Sequence, residues 1–200
     1  MKKKDKIALY INILIIILEI IGLSISINDS NRLLIEYYTE DSNILLLIAS
    51  SIYVFYLLTK KEIPRWLNIF KHMATLGVTI TFIVVILILA PMYNFNYGWI
   101  LFYRTMLYHH TLCPILSIIT FIFFENHKLN KKDIKYTMIF TLLYSVILIF
   151  LNILKLIEGP YPFLMVYKQP IYMSILWIIL IDGGAYLLSI ALSKISNNKT

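Results

Sequence analysis

The sequence is poor in charged residues and has almost no cysteine. Only 14% of its 200 residues are charged, whereas 60% are hydrophobic. A soluble domain of this length needs more polar surface, because much of its outside must face water. The single cysteine, Cys113, excludes a disulfide within the chain. The composition therefore argues against a soluble domain and favours a membrane protein.

The hydrophobic residues are gathered in blocks of about twenty, which is the length that a helix needs to cross the hydrocarbon core of a bilayer. We therefore expect an all-α fold and a single domain, residues 1–200. The predicted architecture is a bundle of six transmembrane helices that span about residues 7–27, 33–59, 66–90, 100–124, 135–157 and 171–193. The loops between these spans are short and leave no room for a soluble domain.

The basic residues predict an orientation for this bundle. Lysine and arginine collect in the N-terminal leader, in the segments 60–71 and 128–135, and in the C-terminal tail. The exceptions are Arg32, Arg104, Lys155 and Lys168. By the positive-inside rule, we expect both termini on the cytoplasmic side of the cell membrane. The net charge of +7 is thus read as a topology signal, and no nucleic-acid partner is predicted.

Polar side chains within the spans are costly in a bilayer, and they often mark function. Heights measured from the nearest basic boundary, at about 1.5 Å per residue, separate them into two layers. The outer layer, about 26 to 31 Å up, holds Thr39, Asn43, His109, His110 and Asn152. The middle layer, about 18 to 20 Å up, holds Glu19 and Asp182. Shared height does not by itself predict contact.

Each of these residues also has a structural interpretation. A buried Thr or Asn most often makes a hydrogen bond between helices. Cys113 fits a small apolar side chain, and His72, beside Lys71, fits an interfacial residue. Glu19 and Asp182 fit proton carriers and equally fit neutral carboxyl groups that are hydrogen-bonded to a neighbouring helix.

A hydroxyl and an imidazole at one height can form a nucleophile–base pair, in which the histidine takes the Thr39 proton as the oxygen attacks an ester. Asn43 or Asn152 could donate to the developing oxyanion. Glu19 or Asp182 could orient the base, although the estimated heights put both about 8–10 Å lower. We expect neither a metal ion nor a cofactor.

Three short segments carry a resemblance to a known family. They are Tyr37–Leu45 (YYTEDSNIL), His109–Pro114 (HHTLCP) and Tyr161–Leu164 (YPFL). In this order they resemble segments of bacterial six-span membrane proteins related to the androgen-induced-gene family, whose animal members are threonine-type hydrolases of fatty-acid esters of hydroxy fatty acids. The resemblance implies Thr39 as nucleophile and His109, five residues before Pro114, as base. The four-residue spacing of many bacterial relatives would select His110 instead.

The sequence thus favours a membrane-embedded hydrolase that acts on a lipid-like ester near the outer leaflet, among membrane lipids. One alternative is an acyltransferase that moves a fatty acyl chain between lipids. A different class stays open as well, namely a small proton-coupled transporter or ligand-binding membrane protein whose carriers are Glu19 and Asp182.

Overall fold

The computed structural model describes residues 2–32, 34–125 and 129–198. We number its helices α1 (Lys3–Ser30), α2 (Tyr38–Leu58), α3 (Arg65–Met92), α4 (Tyr97–Phe102), α5 (Leu107–Phe123), α6 (Lys131–Ile153) and α7 (Ile171–Asn197). Two 3-10 turns, Pro162–Leu164 and Val166–Lys168, lie between α6 and α7. Across these ranges there is no strand, so the prediction of an all-α fold is confirmed.

Five of the described helices are long and apolar enough to cross a membrane, by length and composition: α1, α2, α3, α6 and α7. Each coincides with one of the predicted spans. The helix α3 is the most enclosed of the five, with 61% of its apolar window buried. The molecule is therefore compatible with a multi-pass helical bundle built around α3.

The predicted span 100–124 is interrupted. The helix α4 ends at Phe102, and α5, which is apolar but shorter than a full span, begins at Leu107. Between them Arg104 has a left-handed backbone (φ 49°), which does not continue a right-handed helix. Its Nε donates to Oδ2 of Asp29, at the end of α1, at 2.7 Å. Six crossings therefore stay a prediction.

The start of α2 also differs from the predicted one, because the helix begins at Tyr38 and not near residue 33. The first backbone N–H groups of a helix have no partner within it. Here tyrosine hydroxyls from distant segments accept them, Tyr144 from Tyr38 N at 3.0 Å and Tyr161 from Thr39 N at 3.3 Å. The predicted boundary residue Leu33 lies outside the described residues, as do Lys128 and Lys199, which contribute to the predicted orientation.

Two helices contain a π-helical turn, Val85–Leu89 in α3 and Leu107–Leu112 in α5. Each turn precedes a proline, Pro91 and Pro114, which lacks the N–H that would bond to the preceding turn. Such turns widen a helix locally and are frequent at functional sites. The turn in α5 carries both predicted histidines, His109 and His110.

Candidate functional site

The imidazole of His109 lies between two carboxyl groups. Its Nε2 is 3.6 Å from Oε2 of Glu19 on α1, and its Nδ1 is 3.7 Å from Oε1 of Glu40 on α2. All three residues are buried, with exposed fractions of 0% for Glu19, 1% for His109 and 5% for Glu40. We refer to these three residues as the His109 cluster. In it, the two nitrogens of one ring face two different carboxyl groups.

A glycine on α1 makes room for this ring. A Cβ atom at Gly22 would lie 2.6 Å from His109 Nε2, which is too close for any side chain. Thr105, one turn before His109, links α5 to α1 at the same point. Its hydroxyl donates to the Gly22 carbonyl at 3.1 Å and lies 3.4 Å from His109 Nδ1. The close approach of α1 and α5 therefore places the ring beside Glu19.

The buried polar groups continue along α1 beyond Glu19. The Glu19 carboxyl lies within the electrostatic influence of Lys71 on α3, and Lys71 is fully buried. Its ammonium donates to Ser50 Oγ at 2.9 Å and lies 3.7 Å from Oε1 of Glu125. Asn12, near the start of α1, donates to the same Glu125 oxygen at 2.8 Å. At the opposite end, the Ser26 hydroxyl donates to Glu40.

These groups form a row of buried polar side chains, which we call the polar line, and its two halves are related by the electrostatic influence of Lys71 on Glu19. Its members, in order, are Ser26, Glu40, His109, Glu19, Lys71, Glu125 and Asn12, and all of them are less than a tenth exposed. Within the part of the chain that the structure describes, Oε2 of Glu40 and Nε2 of His109 have no hydrogen-bond partner, and the Glu19 carboxyl has the weak thiol donor of Cys113 beside it. Buried polar atoms are normally paired, so this concentration marks a functional site.

Thr39 belongs to a second site. Its hydroxyl lies 3.4 Å from the hydroxyl of Tyr161, which also accepts its N–H. Both residues line a cavity of about 360 Å³, a volume in the range of small-molecule pockets. Asp182 of α7 lines the same cavity and accepts a hydrogen bond from Ser145 at 3.1 Å. The remaining wall is mainly aliphatic and comes from α3, α6 and α7.

Tyr161 is held rigidly beside Thr39. Its ring stacks on Phe163, with centroids 5.2 Å apart and planes 6° from parallel. Burial raises the pKa of Tyr161 to about 12, so its phenol is neutral at physiological pH. A neutral phenol can position the Thr39 hydroxyl but cannot take its proton as a base.

The structure separates the side chains of the predicted nucleophile and base. Among the residues it describes, no hydrogen bond joins Thr39 to His109 or His110. Asn43 connects the backbones instead, because its amide donates to the Thr39 carbonyl at 2.7 Å and to the His109 carbonyl at 3.4 Å. In a π-helical turn, the His109 carbonyl is the one that Pro114 leaves without a donor. The Thr39 side chain then faces the cavity, while the His109 ring faces Glu19 and Glu40.

Two other predicted residues are occupied by backbone contacts. His110 Nδ1 lies 2.7 Å from the Ile100 carbonyl, which joins α4 to α5. The Asn152 amide donates to the Ile157 carbonyl and accepts from the Val166 N–H, both at 3.0 Å. Asn152 therefore holds the connection between α6 and α7 in place. The Asn43 amide also donates to two backbone carbonyl groups, those of Thr39 and His109. Neither amide is directed at the Thr39 hydroxyl.

Glu19 is closer to His109 than the estimated heights predicted. The estimate assumed a uniform rise from basic boundaries, but α1 begins at Lys3, before the assumed boundary Lys6. The π-helical turn of α5 also places more residues in each turn, which brings His109 nearer to the middle of the bundle. The long side chains of Glu19 and His109 span the remaining difference in height between their backbones.

Several buried polar residues were not among the predicted site residues: Asn12, Glu40, Lys71 and Glu125. Asn12 lies inside the first predicted span and could have been found by its polarity alone. The other three lie near the ends of predicted spans, where charged residues usually mark the membrane boundary. His72, which the sequence predicts to be interfacial, is 0% exposed, as is Lys71, so both side chains lie inside the bundle.

No protein-family model, curated protein or solved structure matches the chain. The resemblance to the androgen-induced-gene family therefore rests on its three short segments. Two of them meet in the fold, because Thr39 of the first contacts Tyr161 of the third. The middle segment carries His109 and His110. It contacts the first segment through the Asn43 amide, which donates to the His109 carbonyl.

Proposed function

We propose that the protein hydrolyses an acyl ester of a membrane lipid, with Thr39 as the nucleophile. In this proposal it is a multi-pass protein of the cell membrane with six crossings and both termini in the cytoplasm. The observation that carries the proposal is the position of the Thr39 hydroxyl, which lines a mainly apolar cavity.

The cavity suits the acyl chain of a lipid. Its outer wall includes Ile153 and Ile171, which are 54% and 79% exposed, so the cavity opens on the side of the bundle where lipid would lie. An acyl chain that enters between α6 and α7 would exchange its lipid neighbours for aliphatic side chains of similar polarity, so its methylene groups would occupy the cavity without a hydrophobic penalty. Its ester would then reach the Thr39 hydroxyl beside Tyr161, with Asp182 in the lining of the same cavity.

The reaction proceeds in two stages. Thr39 Oγ1 attacks the carbonyl carbon and gives its proton to a base, and the alcohol leaves with that proton as the acyl-threonine ester forms. Water then attacks this ester, releases the fatty acid and restores the threonine hydroxyl. Tyr161 holds Thr39 in place through its hydroxyl and backbone contacts. This is a positioning role.

Two side chains compete for the role of base. His109 is implied by the family resemblance, and its ring would have to turn away from Glu19 and Glu40 to reach Thr39. Asp182 shares the cavity with Thr39 in the structure. The His109→Gln and Asp182→Asn variants assign the base, because only the loss of the base slows attack by Thr39.

The test uses purified protein in detergent with a fluorophosphonate probe, followed by incubation with lipid esters. We expect the probe to label the wild type and the conservative Thr39→Ser variant but not Thr39→Ala, and fatty-acid release to follow the labelling. Thr59→Ala, at the opposite end of α2, is the matched control. Labelling and fatty-acid release that persist in Thr39→Ala would overturn the proposal. A new ester in place of free fatty acid would identify an acyltransferase.

A further inference from the structure

We propose that the polar line conducts protons through the bundle, with the His109 ring passing each proton between Glu40 and Glu19. This inference does not depend on the proposed hydrolase, because the polar line and the Thr39 cavity are lined by different side chains. It rests on the geometry of the His109 cluster, on the unpaired atoms at its centre and on the length of the line.

The ring geometry is that of a relay. Glu40 faces Nδ1 and Glu19 faces Nε2, so the two carboxyl groups approach the ring through different nitrogens. When Glu40 gives a proton to Nδ1, Nε2 can give its own proton to Glu19. Glu40 becomes a carboxylate, Glu19 becomes a carboxylic acid, and the ring stays neutral in its other tautomer. A turn of the ring then presents Nε2 to Glu40 and the protonated Nδ1 to Glu19. When Glu40 has been protonated again, it gives its proton to Nε2 while Nδ1 gives its own to Glu19, so a second proton moves in the same direction and the ring returns to its first tautomer.

The distances between the ring nitrogens and the two carboxyl groups are longer than hydrogen bonds, so neither carboxyl group is held in a fixed hydrogen bond to the ring. The separations of 3.6 and 3.7 Å exceed the range of about 2.6 to 3.2 Å that direct transfer requires. A small rotation of either carboxyl group closes the gap. Of the atoms facing each other across the ring, Nε2 of His109 has no hydrogen-bond partner in the described residues, and the Glu19 carboxyl has a weak donor, the Cys113 thiol, beside it. A structural network would hold these atoms in fixed hydrogen bonds.

The polar line extends over most of the thickness of the hydrocarbon core of a bilayer. Its ends on α1, Asn12 and Ser26, are separated by 14 residues, or about 21 Å of the roughly 30 Å hydrocarbon core. Beyond Glu19 the next carrier is Lys71. Its charge acts on Glu19, and its ammonium lies 3.7 Å from Glu125. A neutral Lys71 whose side chain moves to Glu19 would take the Glu19 proton, leaving a carboxylate and an ammonium, and would then pass that proton to Glu125. Charged groups so deep in a helical bundle typically form ion or proton pathways.

The groups around His109 favour a proton over a metal ion. The ring is faced by Glu19 from α1 and Glu40 from α2, and beside it on α5 lies His110. Cys113 and Lys71 lie farther out, next to Glu19. One ion cannot contact two carboxyl groups that face opposite nitrogens of one ring. Within the described ranges, no three His, Cys, Asp or Glu side chains are arranged to hold a metal ion.

The experiment measures proton flux in vesicles. The full-length protein is reconstituted into phosphatidylcholine–phosphatidylglycerol vesicles that contain a pH-sensitive dye, and a potassium gradient with valinomycin drives protons inward. We expect the wild type to acidify the vesicle interior faster than protein-free vesicles do. The His109→Gln and Glu19→Gln variants should fall to the protein-free rate. Thr39→Ala should retain the wild-type rate, because it changes only the cavity.

Two outcomes would overturn the inference: a wild-type rate no higher than that of protein-free vesicles, or a full rate in His109→Gln. Folding of each variant is checked by its elution profile and melting temperature in detergent. If either variant fails to fold, Glu40→Gln removes the other side of the relay and should abolish the flux in the same way. Because Thr39→Ala separates the two activities, failure of the hydrolase proposal leaves this result untouched.

Discussion

Nε2 of His109 lies 3.6 Å from Oε2 of Glu19, and this contact exists because α1 has a glycine, Gly22, where the ring passes. The sequence offers no local reason for that glycine, which lies within an apolar helix and has ordinary helical surroundings. Its role appears only when α5 packs against α1. The contact puts an imidazole and a carboxyl group side by side in the centre of the bundle. The stability of the bundle and the proposed proton transfer therefore depend on the same few atoms.

Filling the space at Gly22 should disturb the ring. In Gly22→Ala, the new methyl group would meet His109 Nε2 at 2.6 Å, so the ring or the helix must move. We expect a loss of about 1–3 kcal/mol in the free energy of unfolding, as for other overpacked interiors. Thermal unfolding in detergent measures it.

Gly183→Ala is the matched control for that variant. A Cβ atom at Gly183 would meet nothing within 4 Å, so the alanine should leave the melting temperature unchanged or raise it through better helix propensity. Equal melting temperatures for Gly22→Ala and Gly183→Ala would contradict the packing of His109 against α1.

The buried pair of Lys71 and Glu125 should be far more sensitive than an exposed pair. Both side chains have 0% exposure, and removal of one partner from a buried pair typically destabilises a protein by about 3–5 kcal/mol. We therefore expect Lys71→Met to unfold at a clearly lower temperature. The double variant Lys71→Met/Glu125→Leu should recover much of this loss, because it leaves no isolated charge.

An exposed pair supplies the comparison. Lys168 and Glu158 lie 3.4 Å apart with side chains 60% and 80% exposed, and such pairs add little stability. Lys168→Met should therefore melt close to the wild type. A double variant at Lys71 and Glu125 that is no more stable than Lys71→Met alone would show that the pair is not the reason for the loss.

The apolar blocks predict the helices well, because a run of about twenty apolar residues is a local property. The break at Arg104 is not local. It follows from the ion pair with Asp29, which forms only after α1 and α5 come together. The same holds for the start of α2, whose capping hydroxyls belong to Tyr144 and Tyr161. Sequence patterns therefore give the place of most helices but not their ends.

The candidate site could be predicted in composition but not in pairing. Glu19, His109 and Asp182 stand out as polar residues inside apolar spans. Which of them meet depends on helix rotation and on the π-helical turn before Pro114, and neither is visible in residue spacing. For this reason the estimated heights grouped Thr39 with His109, whereas the fold pairs His109 with Glu19.

Asn152 should control the mobility of the segment that holds Thr39. Its amide joins the end of α6 to Val166, which lies two residues after the 3-10 turn Pro162–Leu164. In Asn152→Ala both hydrogen bonds are lost, so we expect faster hydrogen exchange in peptides that cover residues 161–166. Ser51→Ala is the control, because its hydroxyl bonds only within α2. Unchanged exchange in Asn152→Ala would contradict this role.

A bulky side chain in the Thr39 cavity should block lipid there. Ile181 lines the cavity, whereas its neighbour Leu180 does not and is 51% exposed on the outside of α7. Ile181→Trp places an indole ring in the cavity, and Leu180→Trp adds the same ring to the outer surface. We expect Ile181→Trp to lose binding of a spin-labelled fatty acid in detergent and to lose any fatty-acid release, while Leu180→Trp retains both. Equal binding by the two variants would show that the acyl chain does not occupy this cavity. Proton flux through the polar line should persist in both variants, since neither substitution reaches His109 or Glu19.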